Sequence, residues 1–247
     1  MLTIIVIPAH NEAATITDIV RRTRQQAEVV IVVDDGSSDD TAALAEAAGA
    51  YLLRQTANQG KGVALWLGMR EALAQGADAV ITLDADGQHC PEDIPKLLAA
   101  TQHQADRLII AARLEHRERA PSLRRFANGM ADFWISWAAG YPIRDTQSGF
   151  RLYPATFLRR ADAPAGERRG FAFESALLIQ AAQLGCYPVM VAIKTLYLPQ
   201  GRPSHYRPWR DTGRIIVLVA RTLFRRGLYP LGLLRSLRLL PLPVSDR

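Results

Sequence analysis

Over its first hundred residues the chain alternates short apolar, β-branched runs with amphipathic stretches, and no other feature restricts its fold more. Residues 2–7 read as a buried strand, and 12–24 as a helix with apolar positions at 16, 19 and 20. Residues 29–33 are a second strand, followed by a helix over 40–48 whose preceding Ser/Asp cluster offers N-cap candidates. A short strand-like run at 51–53, a helix over 61–74 closing at Gly76 and a strand at 79–83 continue the rhythm. Pro91 then opens a helix over 91–100 at a first-turn position. This alternation implies an α/β fold with a doubly wound, mainly parallel sheet flanked by helices. Beyond 107 the rhythm loosens into a strand at 108–112, an aromatic-rich helix over 123–139, a Gly-bearing segment at 146–153, a helix over 173–184 and a strand-like run at 189–195. In such sheets ligands sit beyond the carboxyl ends of the strands, which here are Pro8–Glu12, Asp34–Ser37 and Asp84–Gln88.

The third of these ends carries the sharpest chemistry. In Asp84-Ala85-Asp86-Gly87-Gln88-His89, two carboxylates and an amide are separated by single residues. Continued extended geometry would send Asp84, Asp86 and Gln88 to one side, because strand side chains alternate with period two. Three hard oxygen donors at that spacing suit Mg²⁺ or Mn²⁺; a plain polar turn after a buried strand is the competing reading. An EF-hand loop does not fit, since Gly87 is fourth rather than sixth. Asp34 or Asp35 could meet a ribose hydroxyl or a base edge, whereas Ser37, Ser38 and Asp39 are better read as helix caps. Asn58-Gln59-Gly60-Lys61-Gly62 lacks Walker spacing, with Gln55 and Val63 at the diagnostic positions, but leaves Lys61 as a phosphate contact at a glycine-rich turn.

Length and charge narrow the class. The 247 residues suit one catalytic domain over 1–208 with a basic amphipathic extension over 209–247. Cys90 and Cys186 have neither zinc nor CxxC spacing. A strand directly after Met1 leaves no room for a signal peptide, so the expected compartment is the cytoplasm. From Arg214 onward there are seven arginines and one aspartate, a net +6 equal to the excess of the whole chain. A basic amphipathic helix can lie on an anionic membrane surface, placing the protein peripherally at the inner face of the plasma membrane; it can equally dock on its own domain. No nucleic-acid recognition motif accompanies the charge.

Taken in order, these pieces resemble the inverting family 2 glycosyltransferases of GT-A fold, in particular the dolichyl- and polyprenyl-phosphate sugar transferases. The matching residues are Ile7-Pro8-Ala9-His10-Asn11-Glu12, Val33-Asp34-Asp35-Gly36-Ser37, Asn58 with Gly60-Lys61-Gly62, and Asp84-Ala85-Asp86-Gly87-Gln88-His89. Arg144-Asp145-Thr146-Gln147-Ser148-Gly149-Phe150-Arg151 and Gly170-Phe171-Ala172-Phe173-Glu174 follow. The resemblance implies a nucleotide pocket lined by Pro8, His10, Glu12 and Asp35, and a Mg²⁺ or Mn²⁺ ion on Asp84, Asp86 and Gln88. It further implies an acceptor phosphate held by Arg113 and Arg124, with Asn128 one turn along. Residues 204–211 resemble the family's closing segment, where Ser204 and Arg207 would meet the donor diphosphate. Ala176 stands where the family often has a second acid, and the Gln-x-x-Arg-Trp signature of processive members is absent, so addition of a single sugar is expected.

A polyprenyl phosphate acceptor is already anionic at neutral pH, so positioning and neutralisation of the departing diphosphate would suffice. A hydroxyl acceptor (lipid, pigment or glycan) would need a base, for which Asp145 and Glu174 are the candidates. A non-catalytic nucleotide-sugar-binding or scaffold protein is the remaining class. The residues do not choose between a GDP- and a UDP-linked donor, and a separate membrane partner is compatible with the extension.

Overall fold

The first two strands, β1 (Thr3–Ala9) and β2 (Val29–Asp34), are almost unbroken runs of Val and Ile, the pattern of strands covered on both faces. The structure is a computed structural model and describes residues 1–102, 106–113, 122–162, 172–193 and 208–243; the side chains of 122–127 and 208–211 lie outside that description. The remaining strands are β3 (Tyr51–Arg54), β4 (Ala79–Thr82), β5 (Ile109–Ala112), β6 (Arg151–Pro154) and β7 (Val189–Ala192). Among the described residues these form one seven-stranded sheet in the order β3-β2-β1-β4-β6-β5-β7.

Alternate residues of β1 feed two cores. Ile4 and Val6 pack with Leu65 and Met69 of α3 (Lys61–Ala74), while Ile5 and Ile7 pack with Ile16, Ile19 and Val20 of α1 (Ile16–Arg24). Helices α2 (Thr41–Ala47) and α4 (Ile94–Thr101) complete the first half, and a 3₁₀ turn at Pro91–Asp93 precedes α4. Helix α1 starts four residues later than the pattern suggests. Asn11 adopts φ +56° and the Glu12 carbonyl accepts from the amides of Thr15 and Ile16, so residues 10–15 form a loop at the sheet edge.

The second half departs from the parallel expectation at one place. Strand β6 lies antiparallel between β4 and β5, with Thr82 opposite Arg151. The predicted Gly-bearing segment over 146–153 therefore contains a central strand. Its four residues, opening on a charged side chain, are too few to display a period. Because β6 runs the other way, its amino end meets the carboxyl ends of β1, β2, β4 and β5, and the 144–150 loop joins that edge. Helices α5 (Ser122–Ala139), α6 (Ala155–Arg160) and α7 (Ala172–Gln183) follow, with α8 (Pro208–Arg225) against α5 and α7, and α9 (Pro230–Ser236) against α5.

Helix α3 sits unusually close to the sheet. A Cβ at Gly68 would fall 2.4 Å from Val6 Cγ1 and 2.9 Å from Val33 Cγ2, whereas one at Gly129 on α5 would meet nothing within 4 Å. Gly68→Ala should therefore destabilise the protein by ~1–3 kcal/mol in urea unfolding, the range for overpacking. Gly129→Ala, which gains helix propensity without a clash, should leave stability unchanged or raise it.

Candidate active site

The carboxyl end of β1 is stitched to that of β2. The Asn11 amide donates to Ser37 Oγ at 2.9 Å, the Ser38 amide to Asn11 Oδ1 at 2.9 Å, and the Glu12 amide to Thr41 Oγ1 at 2.7 Å. His10 Nδ1 lies 2.9 Å from the Asp35 carbonyl oxygen; a carbonyl only accepts, so Nδ1 carries the proton. Pro8 is buried beside Val33 in the β1–β2 register. The Asp35 carboxylate accepts from the amides of Gln59 at 2.7 Å and Gly60 at 2.8 Å, which places an anion at the start of α3. Gly36, at φ +66°, allows this approach, since a Cβ there would come within 2.5 Å of the Ala57 carbonyl carbon.

The acidic segment after β4 does not continue as a strand. It turns at Gly87 with φ +75°, yet Ala85, Gly87 and His89 are buried while Asp84, Asp86 and Gln88 stay partly open. A turn therefore replaces the extended geometry expected here, and what remains is an alternation of burial. The first residue of α3, Lys61, places its Nζ 2.7 Å from Asp84 Oδ1 and 3.0 Å from Glu174 Oε2. Burial works to raise the Asp84 carboxyl, but the Lys61 charge and hydrogen bond override it and hold Asp84 below the usual carboxylate range. Lys61 is in turn driven above its ordinary value by the two carboxylates, against its own burial. Asp86 is pushed up to about 6 by burial and the adjacent Asp84 charge, with Glu12 adding to the same effect. Thr15 Oγ1 ties the two loops, donating to the Ala85 carbonyl at 2.7 Å and approaching Glu12 Oε2 at 3.2 Å.

The third group follows β5. Asp145, at φ +54°, accepts three hydrogen bonds from Arg113: from its amide at 2.8 Å, from Nε at 2.9 Å and from Nη2 at 2.7 Å. Burial alone would raise the Asp145 carboxyl; the guanidinium fork overrides it and keeps the group below the usual carboxylate range. His89, buried against Phe150 with no hydrogen-bond partner at Nδ1, is driven down to about 4 by burial, opposed by the Asp84 charge. It is therefore neutral at physiological pH.

Two residues to which the sequence reading gave no role organise this region. Asp132 on α5 accepts from the amides of Asp145 at 3.2 Å and Thr146 at 2.9 Å, and from Thr146 Oγ1 at 2.8 Å. Arg151, fully buried, donates to the carbonyls of Ser148 at 2.7 Å, Thr146 at 2.7 Å and Glu174 at 2.8 Å. Arg151 stood in the sequence only as the last residue of the Arg144–Arg151 motif, with no role attached, and Asp132 had no signal. Lys61, Asp84 and Glu174 are thus in direct contact, with Asp86 beside them, and Arg113 is paired with Asp145. Asn128 is half-buried on α5, where Arg124 also lies with its side chain outside the described residues. Ser204 and Arg207 fall outside the described residues altogether.

A divalent cation fits the donor set. Asp84, Asp86 and Gln88 offer hard oxygen donors, and the elevated Asp86 carboxyl marks crowded negative charge that such an ion would relieve. Among the described residues no group of three His, Cys, Asp or Glu side chains is placed to hold a metal ion by itself, so a bound ion would draw on Gln88, water or substrate oxygens as well. The ionised Asp86 weakens the fold above about pH 6, because the folded state holds its proton more tightly than the unfolded chain. Mn²⁺ should therefore raise Tm more at pH 7.5 than at pH 5, and Asp86→Asn should remove roughly half or more of the gain at pH 7.5; scanning fluorimetry at both pH values checks this.

Residues 4–162 match the family described as Glycosyl transferase family 2. The undecaprenyl-phosphate mannosyltransferase of Micrococcus luteus is 32% identical over 151 residues, covering 60% of this chain and 62% of that protein. The polyprenol monophosphomannose synthase of Mycolicibacterium smegmatis is 31% identical over 202 residues, covering 77% and 76% respectively. In fold, the chain resembles glucosyl-3-phosphoglycerate synthase of Mycobacterium tuberculosis, crystallised with Mn²⁺, UDP-glucose and phosphoglyceric acid. The TM-score is 0.65 at 23% identity, covering 93% of this chain and 80% of that one. The sheet order, the acidic turn after β4 and the match over more than half of the chain lead to one assignment: this protein belongs to glycosyltransferase family 2.

Proposed function

We propose that the protein transfers a single sugar, with inversion, from a GDP- or UDP-linked donor to a polyprenyl phosphate at a membrane surface. One observation carries the choice of acceptor. The two carboxylates considered as general bases are both engaged with cations, Asp145 with Arg113 and Glu174 with Lys61. A hydroxyl acceptor would need one of them to take a proton, whereas a phosphate acceptor needs none. The names of the Micrococcus and Mycolicibacterium relatives support the same acceptor class.

In this reading His10, Glu12 and the β2 end around Asp35 form the floor of the nucleotide pocket, and Pro8 sets the path of the chain into it. Asp84, Asp86 and Gln88 would hold Mg²⁺ or Mn²⁺, which supplies charge neutralisation to the departing nucleoside diphosphate. Lys61 keeps Asp84 ionised and adds a fixed positive charge beside the diphosphate. Ser204 and Arg207 are assigned to the donor diphosphate on the family resemblance. On the opposite flank, Arg113, whose Nε and Nη2 are taken by Asp145, would offer its remaining guanidinium N–H groups to phosphate oxygens, and Arg124 and Asn128 of α5 are assigned to the same phosphate on the family resemblance. The anionic acceptor oxygen then attacks the anomeric carbon in line with the leaving group, so positioning and electrostatics carry the rate.

Incubation with Mn²⁺, a polyprenyl phosphate and labelled GDP-mannose, UDP-glucose or UDP-N-acetylglucosamine should give an organic-extractable, mild-acid-labile glycolipid with one of the donors. Asp86→Asn should cut turnover by about 100-fold or more. Arg113→Ala should depress transfer to polyprenyl phosphate while leaving nucleotide-induced thermal stabilisation in place. Absence of product with every donor, or a fully active Asp86→Asn, overturns the assignment.

A further inference from the structure

Helix α8 has two apolar faces, and its own domain covers only one. At roughly 100° per residue, Ile215, Val219 and Leu223 share one side; all three are buried in the core with α5 and α7. Val217 and Phe224 (73% exposed) lie on the opposite side, Ile216 (61% exposed) is open although it falls in line with Leu223, and Arg214, Arg221 and Arg225 form a stripe along the flank. The apolar surface continues through Leu228, Leu231, Leu234, Leu237 and Leu239, all exposed, in and around α9. No acidic residue occurs between positions 212 and 245, while Arg226, Arg235 and Arg238 lie within that stretch. A monomeric soluble surface rarely leaves so much contiguous apolar area open. Among the described residues no helix is long and apolar enough to cross a membrane.

The platform is rigidly attached. Leu228 and Tyr229 both adopt left-handed φ, at 59° and 45°, and their carbonyls accept from Trp137 Nε1 of α5 at 3.1 and 3.2 Å. The Tyr229 ring lies between Gly140 and Gly232, where a Cβ would come within 2.5 and 2.1 Å of it, and Arg226 stacks 3.4 Å from its centroid. Trp134, also on α5, is 38% exposed and stacks on Trp137 at 5.3 Å. A cavity of about 430 Å³ between α5 and the end of α9, walled by Phe133, Leu237 and Arg238, reaches Asp132 and Arg144 beside the loop that carries Asp145.

We infer that the outer face of α8 and α9, with Phe224 and Leu228 at its centre and the arginine stripe along its edge, docks on the surface of an anionic bilayer. Exposed apolar side chains enter the headgroup boundary while the unbroken positive charge meets lipid phosphates, the arrangement of an interfacial amphipathic helix. Charge decides the partner class: a stretch of more than thirty residues without a carboxylate complements an anionic surface. The inference rests on the proposed lipid-linked acceptor only for its biological sense, since docking itself needs no substrate.

Co-sedimentation of the full chain with phosphatidylcholine vesicles, alone or containing one quarter phosphatidylglycerol, tests it. The wild type should bind the anionic vesicles and be released as salt is raised, with little binding to the neutral ones. The double variant Phe224→Glu/Leu228→Glu should lose at least about 10-fold in vesicle affinity, and Arg221→Glu/Arg225→Glu should lose the preference for phosphatidylglycerol. Both variants should keep the wild-type Tm and its rise with Mn²⁺, which separates lost docking from lost folding. Equal vesicle binding by the apolar double variant overturns the inference. So does a wild-type chain that ignores vesicles, including one that instead self-associates through this face. Absence of sugar transfer would remove the proposed function and leave the vesicle result standing.

Discussion

The site is organised by one ammonium group. Lys61 Nζ holds together Asp84 and Glu174, two residues far apart in sequence that only the fold makes neighbours. Carboxylates gathered at a sheet edge repel one another and lose hydration, so each needs a fixed positive partner or a proton. Asp84 and Glu174 share Lys61, Asp145 has Arg113, and Asp35 has the amides at the start of α3. Asp86 alone of the acidic pair after β4 is left elevated, at about 6.

This pairing of charges depends on backbone geometry as much as on charge. The antiparallel β6 brings the 144–150 loop to the edge where the parallel strands end. Gly149 allows this loop to pass directly over Asp84; a Cβ there would fall 2.5 Å from Asp84 Oδ2. Arg151 then fastens the loop to the start of α7 by donating to the Thr146, Ser148 and Glu174 carbonyls, so the position of Glu174 relative to Lys61 is set by a buried cation that need not touch substrate. A buried guanidinium with no such acceptors would be costly, and the three carbonyls replace its hydration.

The C-terminal helices carry a second consequence of close packing. Helix α8 satisfies the core with a narrow stripe of three residues and leaves a broader apolar surface outside. The two readings of the basic extension, a helix docked on its own domain and a helix suited to a membrane surface, are therefore not exclusive. One side of the helix is buried on the domain and the other is left open, and the Trp137–Tyr229 lock holds α9 to the catalytic fold.

Much of the architecture was readable in one dimension. The β1–β4 and α1–α3 pattern follows from β-branched runs buried on both faces and from helical spacing, and the edge carrying His10, Asp35 and Asp84 follows from the direction of parallel strands. The extended geometry expected for Asp84, Asp86 and Gln88 gave way to a turn at Gly87, with only the alternation of burial retained. The sequence alone determined the family, the sheet edge and the acidic cluster, since these depend on local periodicity and motif spacing. Tertiary structure decided which charge answers which. Lys61 meeting Glu174, Arg113 gripping Asp145, Asp132 holding the loop and β6 running antiparallel are all contacts between distant segments. Such pairings are set by packing and desolvation in three dimensions and leave no period along the chain.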